Sequence, residues 1–187
     1  MPTREEALSL LHEHTQSESL RKHAYAVEAA MRLYAEKLGG DPDEWGIVGL
    51  VHDLDYEQYP QAPDHPTEAG EILRAAGYPE HWVRAVLSHA DYLDIPRETP
   101  MEKVLFAVDE LTGFIVAVAL VRPTKSIMDV EVRSVRKKMK DKAFAAAVSR
   151  EDIAQGAEAL DIPLDEHIAI VLEAMQGIAG ELGLAGS

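Results

Sequence analysis

The chain has 187 residues, no cysteine, a formal net charge of −15, and hydrophobic and charged contents of 47% and 27%. Such a composition is that of an ordinary globular protein with one core; it excludes disulfides and thiolate metal sites, and its acidity argues against nucleic-acid or anionic-membrane binding. The polar N-terminus, Met1 to Glu6, does not read as a secretory signal, and the longest apolar run, Phe114 to Val121, is too short to span a bilayer, so a cytoplasmic protein is expected.

Helical periodicity dominates, and no stretch alternates as a strand would. Thr3 with Glu6 forms a capping box for a first helix over about Arg4 to Glu13. A second helix is predicted from about Ser19 to Leu38, where Gly39-Gly40 stops it. Its stripe of Leu20, Ala24, Val27, Met31, Tyr34 and Leu38 steps by three or four residues, which puts one face in the core, and His23 projects from that face. Asp41 caps a third helix with Pro42 at its first position. This helix ends at or just after His52-Asp53, with Gly46 and Gly49 leaving room for a close neighbour.

Leu54 to His65, with Pro60 and Pro63, reads as a loop, and Pro66 starts the fourth helix. The fifth is predicted from Pro79 to about Leu93, with Trp82, Val86 and His89 on one face. Thr99 to Glu102 starts the longest apolar helix, about Met101 to Val121, in which Asp109 belongs to a largely buried face. Eight of the 18 Lys and Arg residues then fall between Arg122 and Lys142. Ser149 caps a further helix, and Pro163 begins the last, which fades out from Gly180. There are no repeats and no domain linker, so one domain over 1–187 is expected, and the fold class is all-α.

The ordered series His23, His52-Asp53, His65, His89, Asp109 carries the chemistry. Imidazole nitrogen and carboxylate oxygen are the ligands that borderline divalent metals prefer, and six of them at separate helix ends can enclose two ions. Each residue alone has a plainer reading. Asp109 is then a structural aspartate bonded to a helix end or an arginine, and His23 or His89 a satisfied core or surface histidine. Four helices and one loop each delivering such a ligand point to a metal site instead. His12, His14, His81 and His167 lie outside the series and read as surface or structural histidines.

The series resembles the HD superfamily of metal-dependent phosphohydrolases, over about residues 19–121, with 122–187 as helical elaboration. The resemblance implies an all-α HD-domain helical bundle. It implies that His23, His52, Asp53 and Asp109 hold a first metal, and that His65 and His89 hold a second with Asp53 bridging. It also implies a metal-activated water acting on a small phosphorylated metabolite or nucleotide, with divalent transition metal ions (Mn, Fe, Co, Ni or Zn), two in number, as cofactors. Four imidazoles among six ligands favour these over Mg.

The departures from the family pattern are as telling. Leu54-Asp55-Tyr56-Glu57 replaces the Ile-Gly-Lys of the cyclic-dinucleotide phosphodiesterases. Tyr56 stands where the five-prime nucleotidase branch has a glutamate, and the Glu-Asp pair of the alarmone hydrolases is missing. Asp53 and Asp55 are the expected catalytic residues, Asp55 by hydrogen-bonding the attacking water or by orienting a ligand, with a loop-surface acid as the plainer reading for Asp55 and still more for Glu57. In the basic stretch, Lys125 and Arg122 are the candidates for holding a substrate phosphate, because they follow the Asp109 helix directly; a solvated helix face is the alternative. Two rival readings share the same ligands, a di-iron HD-type oxygenase and a non-catalytic metal or ligand sensor.

Overall fold

A computed structural model describes residues 1–186, and within them the chain forms nine α-helices: α1 (Arg4–His14), α2 (Glu18–Leu38), α3 (Pro42–Val51), α4 (Asp64–Ala75), α5 (Glu80–Ser88), α6 (Pro100–Leu120), α7 (Val132–Met139), α8 (Arg150–Ala159) and α9 (Leu164–Gln176). There is no strand among these residues, only an isolated bridge between Ser126 and Ala185. The all-α class is therefore as expected, and no helix is long and apolar enough to cross a membrane.

The local signals act as their chemistry requires. Thr3 and Glu6 close their capping box, with Glu6 N–H donating to Thr3 Oγ1 at 3.2 Å and Thr3 N–H to Glu6 Oε2 at 2.7 Å. Thr99 and Glu102 do the same for α6, and Asp41 accepts from the Asp43 and Glu44 amides at the head of α3. Each such cap satisfies backbone donors that the helix itself leaves free.

The two longest helices, α2 and α6, pack on each other, and α3, α5, α8 and α9 are arranged around them. On α2 the buried face comprises Ala24, Val27, Met31 and Tyr34 with Ala30 and Ala35, whereas Leu38, predicted to be in the core, is 51% exposed as the last residue of the helix. Gly49 lets α3 lie directly on α2: a Cβ there would sit 3.0 Å from the Met31 side chain and 3.1 Å from the Glu28 backbone.

Two boundaries differ from expectation. The fifth helix stops at Ser88, and a separate 3-10 turn covers Asp91–Leu93. The fourth begins irregularly, with His65 and Pro66 in non-helical conformation. The C-terminal helices fold back onto the bundle. Ile168, Val171 and Met175 of α9 join one hydrophobic cluster that also contains Ala7 and Val27. His167 sits wholly buried, its Nε2 donating to the Ala107 carbonyl at 2.8 Å and its Nδ1 meeting the Tyr34 hydroxyl. Burial lowers its pKa, so it is neutral and ties α9 to both α2 and α6.

Candidate metal centre

Four imidazoles and two carboxylates meet at one place, brought from α2 (His23), the end of α3 (His52, Asp53), the start of α4 (His65), the end of α5 (His89) and the middle of α6 (Asp109). The rings pack edge to face, with centroids 5.2 Å apart for His23–His52 and His52–His89 and 5.4 Å for His65–His89. Every one of the four turns its Nε2 inward. His23 Nε2 lies 3.0 Å and His52 Nε2 3.1 Å from Asp109 Oδ1. Asp53 divides its oxygens: Oδ2 is 3.4 Å from His23 and from His52, while Oδ1 is 3.3 Å from His65 and 3.4 Å from His89. Two ligand groups result, His23–His52–Asp53–Asp109 and Asp53–His65–His89, with Asp53 in both.

What turns the Nε2 atoms inward is the partner of each Nδ1. His52 and His89 both stand at the C-terminal cap of a helix. Each donates Nδ1–H to the carbonyl three residues earlier, Gly49 O at 2.7 Å and Val86 O at 2.5 Å. Those carbonyls are among the orphan acceptors that a helix end leaves unpaired. Since a carbonyl only accepts, Nδ1 carries a proton, which leaves Nε2 as the nitrogen that can face a metal. His65 is fixed in the same way by Asp55, whose Oδ1 accepts from Nδ1 at 2.6 Å. For His23 the partner is the Thr112 hydroxyl at 3.5 Å, which donates its own proton to the Asp109 carbonyl and keeps a lone pair for the ring.

Two facing carboxylates call for a positive charge between them. A proton is one answer. Burial opposes an imidazolium at His23, but hydrogen bonds to Asp109 and Asp53 outweigh it and raise the pKa to about 9. Burial likewise disfavours ionised Asp53 and Asp109, and the facing histidines overcome it, holding both carboxyls below their ordinary range. A divalent cation is the other answer, and the donor set fits it: hard carboxylate and borderline imidazole, oriented lone pairs, and no competing lysine or arginine among the cavity's lining residues.

The ligands open into a cavity of about 490 Å³. A family model, the HD domain, matches residues 20–113. The chain belongs to the HD-domain family. No curated protein and no solved structure matches it significantly. HD domains are generally metal-dependent hydrolases, and the clustered histidines and aspartates here are compatible with divalent metal binding.

Around that centre this HD domain departs from several expectations. Asp55 does not face the cavity. It is 1% exposed, and both its oxygens are occupied, Oδ1 by His65 and Oδ2 by the Ala69 amide at 2.9 Å, so it positions a ligand and has no free lone pair directed at a water in the cavity. Glu57 caps the start of α2 from a distance in sequence, accepting from the Gln16 and Ser17 amides at 2.8 and 2.7 Å. Arg122 and Lys125 do not reach the metal cavity either. From Asp109 to the end of α6 at Leu120 the axis advances roughly 16 Å at about 1.5 Å per residue, and the chain leaves in that direction. His12 and His81 are at the surface, paired with Tyr25 and Glu44.

The cavity wall instead contains residues to which sequence reasoning gave no role: Tyr56, Tyr92, Asp91, Glu110 and Asp152. Tyr92 donates its hydroxyl to the His65 carbonyl, and Tyr56 sets its ring edge to face with His65 at 5.3 Å. Burial and then Asp109 raise the pKa of Glu110, and its carboxylate accepts from the Ser149 amide at 3.1 Å, which fastens the start of α8 beside the site. Glu110 follows a ligand and Asp91 and Tyr92 follow His89 closely, so neighbourhood was a usable signal for them. For Asp152, far along the chain, there was none.

Proposed function

We propose that this HD domain is a phosphoric ester hydrolase acting on a small phosphorylated metabolite or nucleotide, with two divalent transition metal ions (Mn, Fe, Co, Ni or Zn) as cofactors. The observation that carries the reading is the division of Asp53, each oxygen facing its own pair of histidines. His23, His52, Asp53 and Asp109 would hold one ion, and Asp53, His65 and His89 the other. Cations so held supply Lewis acidity toward a phosphoryl oxygen and a nucleophilic water at neutral pH.

The protein's own residues do the rest. Within the two ligand groups Asp53 and Asp109 contribute two negative charges against four positive ones from two divalent ions, so the attraction for a phosphate dianion would come from the ions themselves; the cavity wall offers no basic side chain and adds the carboxyl groups of Asp91, Glu110 and Asp152. The Nδ1 atoms of His52, His65 and His89 each meet a fixed acceptor, which orients the rings before any ligand arrives, so little reorganisation is needed. The aromatic rings of Tyr56 and Tyr92 border the opening and offer apolar surface to the organic part of a substrate.

The test is metal analysis of untagged protein followed by a phosphomonoester and nucleotide screen with Mn or Fe added. Release of inorganic phosphate that disappears in Asp53→Ala supports the reading. Oxygen consumption by reduced, iron-loaded protein, with no phosphate release, would replace it with the oxygenase alternative, and tight metal binding without either activity with a sensor.

A further inference from the structure

A second cavity, about 670 Å³ in volume, lies at the far end of α6 and shares no lining residue with the metal cavity. Its walls carry Arg122, Arg133, Lys137 and Lys138 against the single carboxylate of Asp141, in a protein whose net charge is −15. The concentration of cations is a product of the fold as well as of the sequence. Arg122 comes from the turn after α6, and the other three from α7, which packs back on α6.

The cations are not consumed by internal pairing. Arg122 has its Nε shielded from solvent with no hydrogen-bond partner among the described residues. That nitrogen is therefore not committed to any carboxylate or carbonyl of the protein, and the Arg122 side chain, which lines the cavity, remains available to an anion there. Lys137 has no carboxylate partner within salt-bridge distance among the described residues, and Lys138 rests its ammonium over the Phe144 ring at 4.8 Å. Only Arg133 is engaged, with Glu131 at 2.5 Å, in a pair that is largely exposed and so weakly held. Beside the cations, Val118, Val121 and Pro123 form an apolar strip.

We propose that this cavity is a binding site for a small phosphorylated molecule, separate from the metal centre. The phosphate lies among Arg122, Lys137 and Lys138, and an apolar or planar group of the ligand rests on Val118, Val121 and Pro123. Concavity and volume suit a small molecule, and a small anion responds to the local charge, whereas a nucleic acid or an anionic bilayer meets the acidity of the whole protein.

The phosphonate analogue of adenosine monophosphate is a suitable probe, having a dianionic head, a planar base, little capacity to strip metals and no ester bond for the metal centre to cleave. Titration calorimetry on metal-loaded protein should show saturable binding that weakens with salt. Arg122→Gln and Lys137→Gln should each weaken one binding event roughly tenfold or more, as expected on losing a charge-assisted hydrogen bond. His65→Ala, which alters the metal centre, should leave that event intact. Lys137 is exposed and its replacement is tolerated by the fold, so the test stands even if Arg122→Gln is unstable. Three results overturn the proposal: no saturable binding at millimolar analogue, wild-type affinity in both Gln variants, or sedimentation with phosphatidylserine vesicles in place of analogue binding. Because the readout is binding at Arg122 and Lys137, it is independent of whether the metal centre hydrolyses phosphate esters.

Discussion

Asp53 and Asp55 are two residues apart and perform different tasks because of where their oxygens are engaged. Asp53 is shared by both ligand groups, so Asp53→Ala should remove most bound metal; unchanged metal content by mass spectrometry would contradict the shared-ligand geometry. If two ions are held as proposed, His65→Ala and His89→Ala should lose one ion while keeping the other, and His23→Ala should weaken the ion those variants retain. Equal losses in all three variants would mean a single coupled centre. Asp55 belongs to neither ligand group but hydrogen-bonds His65 and decides which of its nitrogens is protonated. In Asp55→Asn the amide oxygen can keep the Ala69 N–H, which turns the NH2 toward His65 Nδ1. That nitrogen must then accept, and the proton moves to Nε2, the atom meant for metal. Metal affinity should fall about 10–100-fold, as for other lost ligand-orienting bonds, with the melting temperature of the metal-free protein changed little by comparison.

At the scale of elements, the site depends on helices ending in the right places and lying close enough. α3 and α5 each stop where a histidine side chain takes the place of the next helical hydrogen bond. Close packing places α6 against α8 through Gly156, where a Cβ would come within 2.5 Å of the Ala107 Cα and 2.8 Å of its Cβ. The neighbour is backbone, so it cannot rotate away. Gly156→Ala should therefore destabilise the protein by about 1–3 kcal/mol through overpacking, even though alanine is the better helix former by about 1 kcal/mol. Denaturant unfolding measures this, and a neutral or stabilised variant would show that α6 and α8 can separate freely. Ala107 also supplies the carbonyl held by His167, so the same displacement reaches α9.

For the whole molecule, metal and proton compete for the same carboxylates. The His23 pKa is raised to about 9, so in metal-free protein its proton stabilises the fold fully below the ordinary histidine value near 6.5, and that stabilisation is lost as pH rises through about 9. Metal binding must displace this proton, so the metal's contribution is smallest at acidic pH and grows toward pH 9. A metal present at roughly 1,000 times its Kd stabilises the fold by about 4 kcal/mol. The drop in melting temperature caused by a chelator should then widen between about pH 6 and 9, and calorimetry in buffers of different ionisation enthalpy should register proton release over the same window. A chelator effect independent of pH would mean that His23 is not protonated in the metal-free protein.

Much of this was legible in the sequence because its signals are local. Cap residues and a period of three to four residues placed α1, α2 and α6 within a residue or so of their observed ends, with α3 stopping at Val51 just before the expected His52-Asp53, and the ordered histidines and aspartates marked every member of the imidazole–carboxylate cluster. Three-dimensional contacts decided the rest. Leu38 obeys the periodicity of its helix but, as its last residue, is left exposed. Asp55 follows the ligand pair directly, yet its task was set by the Nδ1 of a histidine arriving from another element. Arg122 and Lys125 follow the Asp109 helix in sequence, but the rise of that helix carries them away from the histidine–aspartate cluster, to where Arg122 meets the basic face of α7. Asp152 enters the metal cavity only because α8 packs on α6 at Gly156. Residue type and spacing determine which groups can bind a metal; the direction of each lone pair and the charge of each cavity wall depend on partners distant in sequence, which only the packed chain brings together.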